Sequence, residues 1–209
     1  MMYIEMEGLH EIEAALGMLR DKSKLVLRAA INDTAKTVNK TMIDKAHKKY
    51  IYKRTKSDIA KANKVKKAKT GVLEAKISAV GPQNELLDFR VSPSTYFPGG
   101  KGAPKWVKAR AKRNEKFQRI ALRMNATGDK YKGFVVRYKS GHFALAQRVP
   151  GKRMKSNPKK EALKSLLSLS HPKMEAMAYD ETLAGGVVED MLAENVRREI
   201  ERFLGRKKK

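Results

Sequence analysis

The chain of 209 residues contains no cysteine. That absence excludes disulfide scaffolds, thiolate zinc sites, iron–sulfur clusters and cysteine nucleophiles. Uninterrupted apolar runs stop at about four or five residues, against the roughly 20 that cross a bilayer, so neither a membrane span nor a membrane partner is expected. The opening Met1-Met2-Tyr3-Ile4-Glu5-Met6-Glu7 carries acid where a signal peptide carries a basic region and an apolar stretch, so none is expected there. Aromatics are scarce at 7%. Acid is scarce as well: 22 Asp+Glu stand against 47 Lys+Arg, for a formal net charge of +25. A chain of this length buries roughly 70% of its unfolded surface, enough for one ordinary core, and 1–209 reads as a single domain.

The acid is missing from two places in particular. Residues 40–69 hold 12 Lys+Arg and 2 Asp+Glu, and residues 101–160 hold 19 and 2, whereas the rest of the chain is close to neutral. A basic tail, Arg206-Lys207-Lys208-Lys209, follows the last predicted element. Charge this concentrated opposes compaction unless a polyanion or an acidic surface lies alongside, and phosphate backbones are the commonest such neighbour.

Periodicity divides the chain into helices, then strands, then helices. Leu9, Ile12, Leu16 and Leu19 predict a short amphipathic helix. A longer one runs up to Tyr50 without Pro or Gly, with Leu27, Ile31, Ala35, Val38, Met42 and Ala46 as its apolar stripe. Ser57 caps a further helical turn. From Gly71 the period changes to two, predicting a strand over 72–80 with Leu73 and Ile77 inward, and Leu86–Val91 predicts another after Gly81-Pro82. Residues 92–104 read as a loop and 106–111 as a third strand anchored by Trp106. Residues 111–127 read either as a helix, with Phe117, Ile120, Ala121 and Met124 on one face, or as a flexible basic insertion. Residues 134–138 and 142–146 form a hairpin whose connection ends in Gly141, and residues 149–160 read as loop. Leu163, Leu166 and Leu167 suggest a helical turn or a buried strand. Ser170-His171-Pro172 opens a helix, and Val188, Met191, Leu192, Asn195, Val196, Ile200, Phe203 and Leu204 stripe a last one closed by Gly205. Without βαβ alternation the expected class is α+β: a small antiparallel sheet flanked by N-terminal and C-terminal helices, with extended basic loops or arms.

Catalytic signatures are lacking. Gly99-Gly100-Lys101-Gly102 departs from the phosphate-loop spacing. His10, His47, His142 and His171 fall in separate elements, no G-x-S-x-G elbow is present, and Asp44, Asp58, Glu115 and Asp129 are dispersed through the basic segments. Carboxylates gather instead on the last helix, as Glu189, Asp190, Glu194, Glu199 and Glu201, interleaved with Arg197, Arg198 and Arg202. No catalytic, metal or cofactor site is expected. The aromatics in basic surroundings, Tyr50, Tyr52, Tyr96, Phe97, Trp106, Phe117 and Tyr131, read mainly as core, with base stacking as the other reading.

The order of these features resembles a known family. The opening "EGLHEIEAALGML", the basic helix "LRAAINDTAKTVNKTMIDKAHKKY", the hairpin "GFVVRYKSGHFALAQRVPGKR" and the late "LSLSHPKMEAM" are together similar to phage minor tail protein Z and related tail completion proteins. The region 108–132 is longer and more basic than the family core. The resemblance implies a virion structural protein, assembled in the host cytoplasm, that completes the head-proximal end of a long tail so that it joins the filled head. It also implies a cyclic homo-oligomer whose partners are tail terminator, tail tube or head–tail connector proteins and, along the DNA path, genomic DNA. Lys48, Lys49, Lys53, Arg54, Arg110, Lys112, Arg113 and Arg119 are then the candidates for a surface facing DNA or an acidic partner. The alternative is a sequence-independent nucleic-acid-binding protein outside any virion.

Overall fold

A computed structural model describes residues 17, 19, 22–53, 55–99, 104–124 and 130–205. The class is α+β, as expected. Where the sequence reads as one domain, the chain gathers into two compact units. Unit 1 comprises Met1–Ala46, Lys56–Val80 and Pro172–Lys209, and unit 2 comprises His47–Thr55 and Gly81–His171. Charge divides very unequally between them: unit 1 has 22 Lys+Arg against 17 Asp+Glu, unit 2 has 25 against 5, so net charges are +5 and +20.

Unit 1 is helical. Helix α1 spans Ser23–Lys49, where no Gly or Pro interrupts the backbone ladder. Its buried residues are Val26, Ala30, Thr34, Ala35, Val38, Met42, Ile43 and Ala46, so toward the N-terminal end the stripe sits one position from the Leu27 and Ile31 expected. Those two side chains flank a cluster of Leu19, Val26, Ala30, Leu192, Val196 and Ile200. The last three belong to the C-terminal helix Val187–Gly205, which has the most strongly segregated apolar face among the three long described helices. Polar bonds fix the register of these helices: Asn195 donates to Thr34 Oγ1 at 2.8 Å, and Thr34 donates to the Ala30 carbonyl at 2.9 Å. On the surface Arg198 meets Asp33 at 3.2 Å. A short helix, α2 (Lys56–Ala60), begins one residue before the expected cap and is tied by Lys56 to Asp44 at 2.7 Å. It leads into β1 (Asn63–Lys66), which pairs antiparallel with β2 (Lys76–Ala79). The strand expected over 72–80 is therefore shorter, and Leu73 lies exposed while Ile77 packs beside Val38 and Met42. The helix expected over Leu9–Leu19 lies outside the described residues except for Gly17 and Leu19, both helical. The tail Arg206–Lys209 lies outside them too.

Unit 2 is built of short antiparallel strands: β3 (Gln83–Glu85), β4 (Arg90–Ser92), β5 (Lys108–Arg110), β6 (Gln118–Arg119), β7 (Ala121–Met124), β8 (Lys130–Lys132), β9 (Phe134–Arg137), β10 (Phe143–Met154), β11 (Asn157–Ser165) and β12 (Leu167–Ser170). The small antiparallel sheet expected is thus several: β11–β10–β9, β4–β5–β6, β12–β3 and β7–β8. Strand β10 is buried throughout Ala144–Gln147, because its pleat packs both faces. Leu145 and Val135 join Val91, Val107 and Ala109 on one side, and Ala144, Ala146 and Val136 form a cluster on the other. The expected hairpin is present, with Gly141 at φ +84° in its turn. Three expectations are corrected. Residues 149–160 lie within a strand hairpin, with the turn at Lys155-Ser156: β10 and β11 pair from Ala146↔Ser165 to Met154↔Asn157, and Pro150-Gly151 fall at a register shift, with Gly151 at φ +74°. Residues 111–127 contain β6 and β7 in place of the helix or basic insertion that the sequence suggests. Residues 86–91 divide into a 3₁₀ turn, Leu86–Asp88, and the short β4.

Helix α3 (His171–Thr182) follows, and α4 denotes Val187–Gly205. The Glu175 side chain is only 2% exposed. It accepts a bond from Asn63 Nδ2 at 2.6 Å, and that nitrogen also donates to Asn39 at 2.8 Å. Burial raises the Glu175 pKa above the usual 4.5, partly offset by the Asn63 bond. The fold therefore holds this proton to higher pH than the unfolded chain does. The corresponding stability is present at acid pH and is lost as pH rises from about the unfolded carboxyl value through the raised one. Urea denaturation of Glu175→Gln should lack this falling component between acid and neutral pH, while the wild-type chain retains it.

Candidate polyanion interface

All eight candidate cations fall within unit 2. Arg54 lies outside the described residues. The remaining seven are joined through backbone pairing between the segment after α1 and the segment around β5. Tyr50 bridges Lys112, and the Ile51 amide donates to the Ala111 carbonyl at 2.7 Å. The end of α1 leaves carbonyls that its own ladder cannot satisfy. Arg113 supplies donors for two of them, its amide to Lys49 O at 3.0 Å and its guanidinium to His47 O at 3.4 Å. Lys48 and Lys49 occupy that same last turn, where cations suit the helix dipole. Lys53 is held by its amide to Asp88 O at 3.0 Å and by its ammonium to Leu87 O at 2.7 Å.

Arg110 straps the turn that follows β5. Its Nη1 donates to Arg113 O at 3.4 Å and to Glu115 O at 3.3 Å, and its guanidinium lies 5.0 Å from the Phe117 ring centroid. Lys112 meets Glu115 at 2.8 Å across the same turn. Arg119 lies 5.8 Å from the Trp106 ring. Of the aromatics considered for stacking, Tyr50 and Tyr52 are buried in the core. There Tyr52 donates to Asn84 at 2.9 Å and packs edge-on to His171. Tyr96, Phe97 and Phe117 are exposed. The Tyr131 side chain lies outside the described set.

The sheet β4–β5–β6 adds what residue spacing alone conceals. Its cross-strand partners are Arg90↔Arg110, Ser92↔Lys108 and Lys108↔Arg119. Since Ala109 and Val91 are buried, their neighbours Lys108, Arg110 and Arg90 share the opposite face, and register places Arg119 with them. One face of three short strands thus presents four cations as two directly opposed like-charge pairs, and no strand residue here is acidic. Directly opposed like charges destabilise a sheet. Arg90 and Lys108 were not among the sequence candidates. Arg90 comes from a segment whose overall charge is near zero, and only the pairing register reveals its company.

Among the described residues, no three His, Asp or Glu side chains gather as a metal site. No helix among them is long and apolar enough to cross a membrane. Lys108→Glu should replace the Lys108–Arg119 repulsion by attraction. Equilibrium unfolding should register a gain of about 0.2–1 kcal/mol, while affinity for a heparin column or a DNA duplex falls. A purely structural role for this face predicts no change in polyanion affinity. Comparison of the chain with family models, characterised proteins and solved structures finds no match.

Proposed function

We propose that this chain is a non-catalytic structural protein of a phage virion, completing the head-proximal end of a long tail and mediating head–tail joining, with unit 2 against genomic DNA or an acidic neighbouring protein. The resemblance of its sequence segments, in their order along the chain, to tail completion proteins supports the tail assignment. The observation that carries the anionic neighbour is the face of Arg90, Lys108, Arg110 and Arg119. A sheet that opposes Arg to Arg and Lys to Arg gives up stability in the isolated chain, and an anion laid across it converts that repulsion into attraction. Several copies in a ring, with tail terminator, tail tube or connector proteins as neighbours, would sum these fields near the DNA path.

A second reading is favoured by the same face: a sequence-independent nucleic-acid-binding protein that acts outside any virion. Both readings predict duplex binding that weakens steeply with salt, because each neutralised phosphate releases counterions. They separate on location. Mass spectrometry of gradient-purified virions should find the chain at a stoichiometry of a few copies per particle, retained after a high-salt wash. Its absence from particles, together with recovery on host nucleic acid, overturns the tail assignment in favour of the second reading.

A further inference from the structure

A separate concavity of about 560 Å³ lies wholly within unit 2, inside the roughly 300–1,000 Å³ span of small-ligand sites. It is lined by strand β9, through Phe134 to Arg137, and by residues of the segment 93–99, among them Tyr96 and Phe97. Lys132, Arg137, Arg148 and Lys160 line it, and among the described residues no Asp or Glu does. Tyr96 and Phe97 are 42% and 45% exposed. The two guanidiniums are oriented by rings: Arg148 lies 5.5 Å from the Phe134 centroid, and Arg137 lies 5.7 Å from that of Phe143, itself 6.4 Å from Tyr96.

We infer that this concavity binds an unpaired nucleotide of single-stranded nucleic acid, its base against the Tyr96 and Phe97 rings and its flanking phosphates on Arg137, Arg148, Lys132 and Lys160. The chemistry is that of single-strand recognition: ring faces accept any base by stacking, and a planar guanidinium matches phosphate oxygens in pairs. An acidic peptide would satisfy the four cations and leave the ring faces without stacking partners. The duplex face of β4–β6 has Phe117 and Trp106 already engaged by guanidiniums, so the two sites divide the work between backbone charge and exposed base. This inference deepens the anionic-neighbour reading above and rests on it.

Fluorescence anisotropy with labelled oligothymidylate and with a blunt duplex tests it on the full chain. Oligothymidylate should bind more tightly than duplex at equal salt. Tyr96→Ala with Phe97→Ala, both exposed loop residues whose loss spares the core, should weaken oligothymidylate binding about tenfold or more and leave duplex binding unchanged. Circular dichroism of the double variant confirms the fold, and Tyr96→Trp should retain binding. Equal loss for both nucleic acids, or no loss for either, overturns the nucleotide site while the duplex face stands. Displacement of oligothymidylate by a glutamate–tyrosine copolymer that itself binds tightly and depends on Tyr96 overturns it in favour of an acidic peptide. Failure to bind any of the three probes at low salt removes the anionic-neighbour reading as well.

Discussion

Self-repulsion governs unit 2. Within 100 residues it places 25 cations and 5 carboxylates, so ion pairing cannot neutralise it. The cations are instead held by the next-best acceptors, ring faces and carbonyl oxygens. Five guanidinium or ammonium groups lie over aromatic rings in this unit, those of Lys49, Arg110, Arg119, Arg137 and Arg148. Lys53, Arg110 and Arg113 donate to backbone oxygens. Each cation–π contact at an exposed site is worth about 0.5–1 kcal/mol. Neither kind of acceptor removes net charge. What remains is a surface oriented but unneutralised, which favours an anionic neighbour by Coulomb attraction and counterion release together.

Unit 1 solves its electrostatics differently. Its ion pairs join cations to carboxylates, as in Lys56–Asp44, Lys61–Asp58, Arg198–Asp33 and Arg202–Glu199, and among its described residues Lys22 alone lies over a ring, that of Phe203. Such exposed pairs contribute little stability individually. The packing of Val26, Ala30, Leu192 and Val196 and the buried Asn195–Thr34 bond hold the helices in register. A conventional helical frame and a charge-bearing strand unit therefore coexist in one chain, and the contrast follows from where acid is present in the sequence.

Helices were the legible part of that sequence. The uninterrupted run to Tyr50 and the stripe from Val188 to Ile200 have a period that burial reproduces, apart from the shift to Val26 and Ala30. Strands were harder, because in unit 2 charge masks the alternation. Asn157–Lys160 reads as a polar loop by composition, yet it pairs with the far end of β10, since a solvated ladder needs backbone hydrogen bonds more than apolar side chains. The same masking hid Gln118–Arg119 and Asn63–Lys66. Pro150 and Gly151 were true irregularities, but they mark a bulge within a strand. Charge runs alone mark the basic segments along the chain. Which cations share a face depends on register, so Arg90 does not announce itself along the chain; Tyr96 and Phe97 stand out there as aromatics, but the concavity they line does not.

The central claim is that unit 2, and not unit 1, meets a polyanion. Amide hydrogen exchange of the full chain at low salt, with and without inorganic polyphosphate, tests it most directly because each unit reports separately. The account predicts slowed exchange in β4, β5, β6 and the β10–β11 ladder, with α4 and the Ser23–Ala46 part of α1 unchanged. Uniform slowing across both units, or none in unit 2, would contradict it.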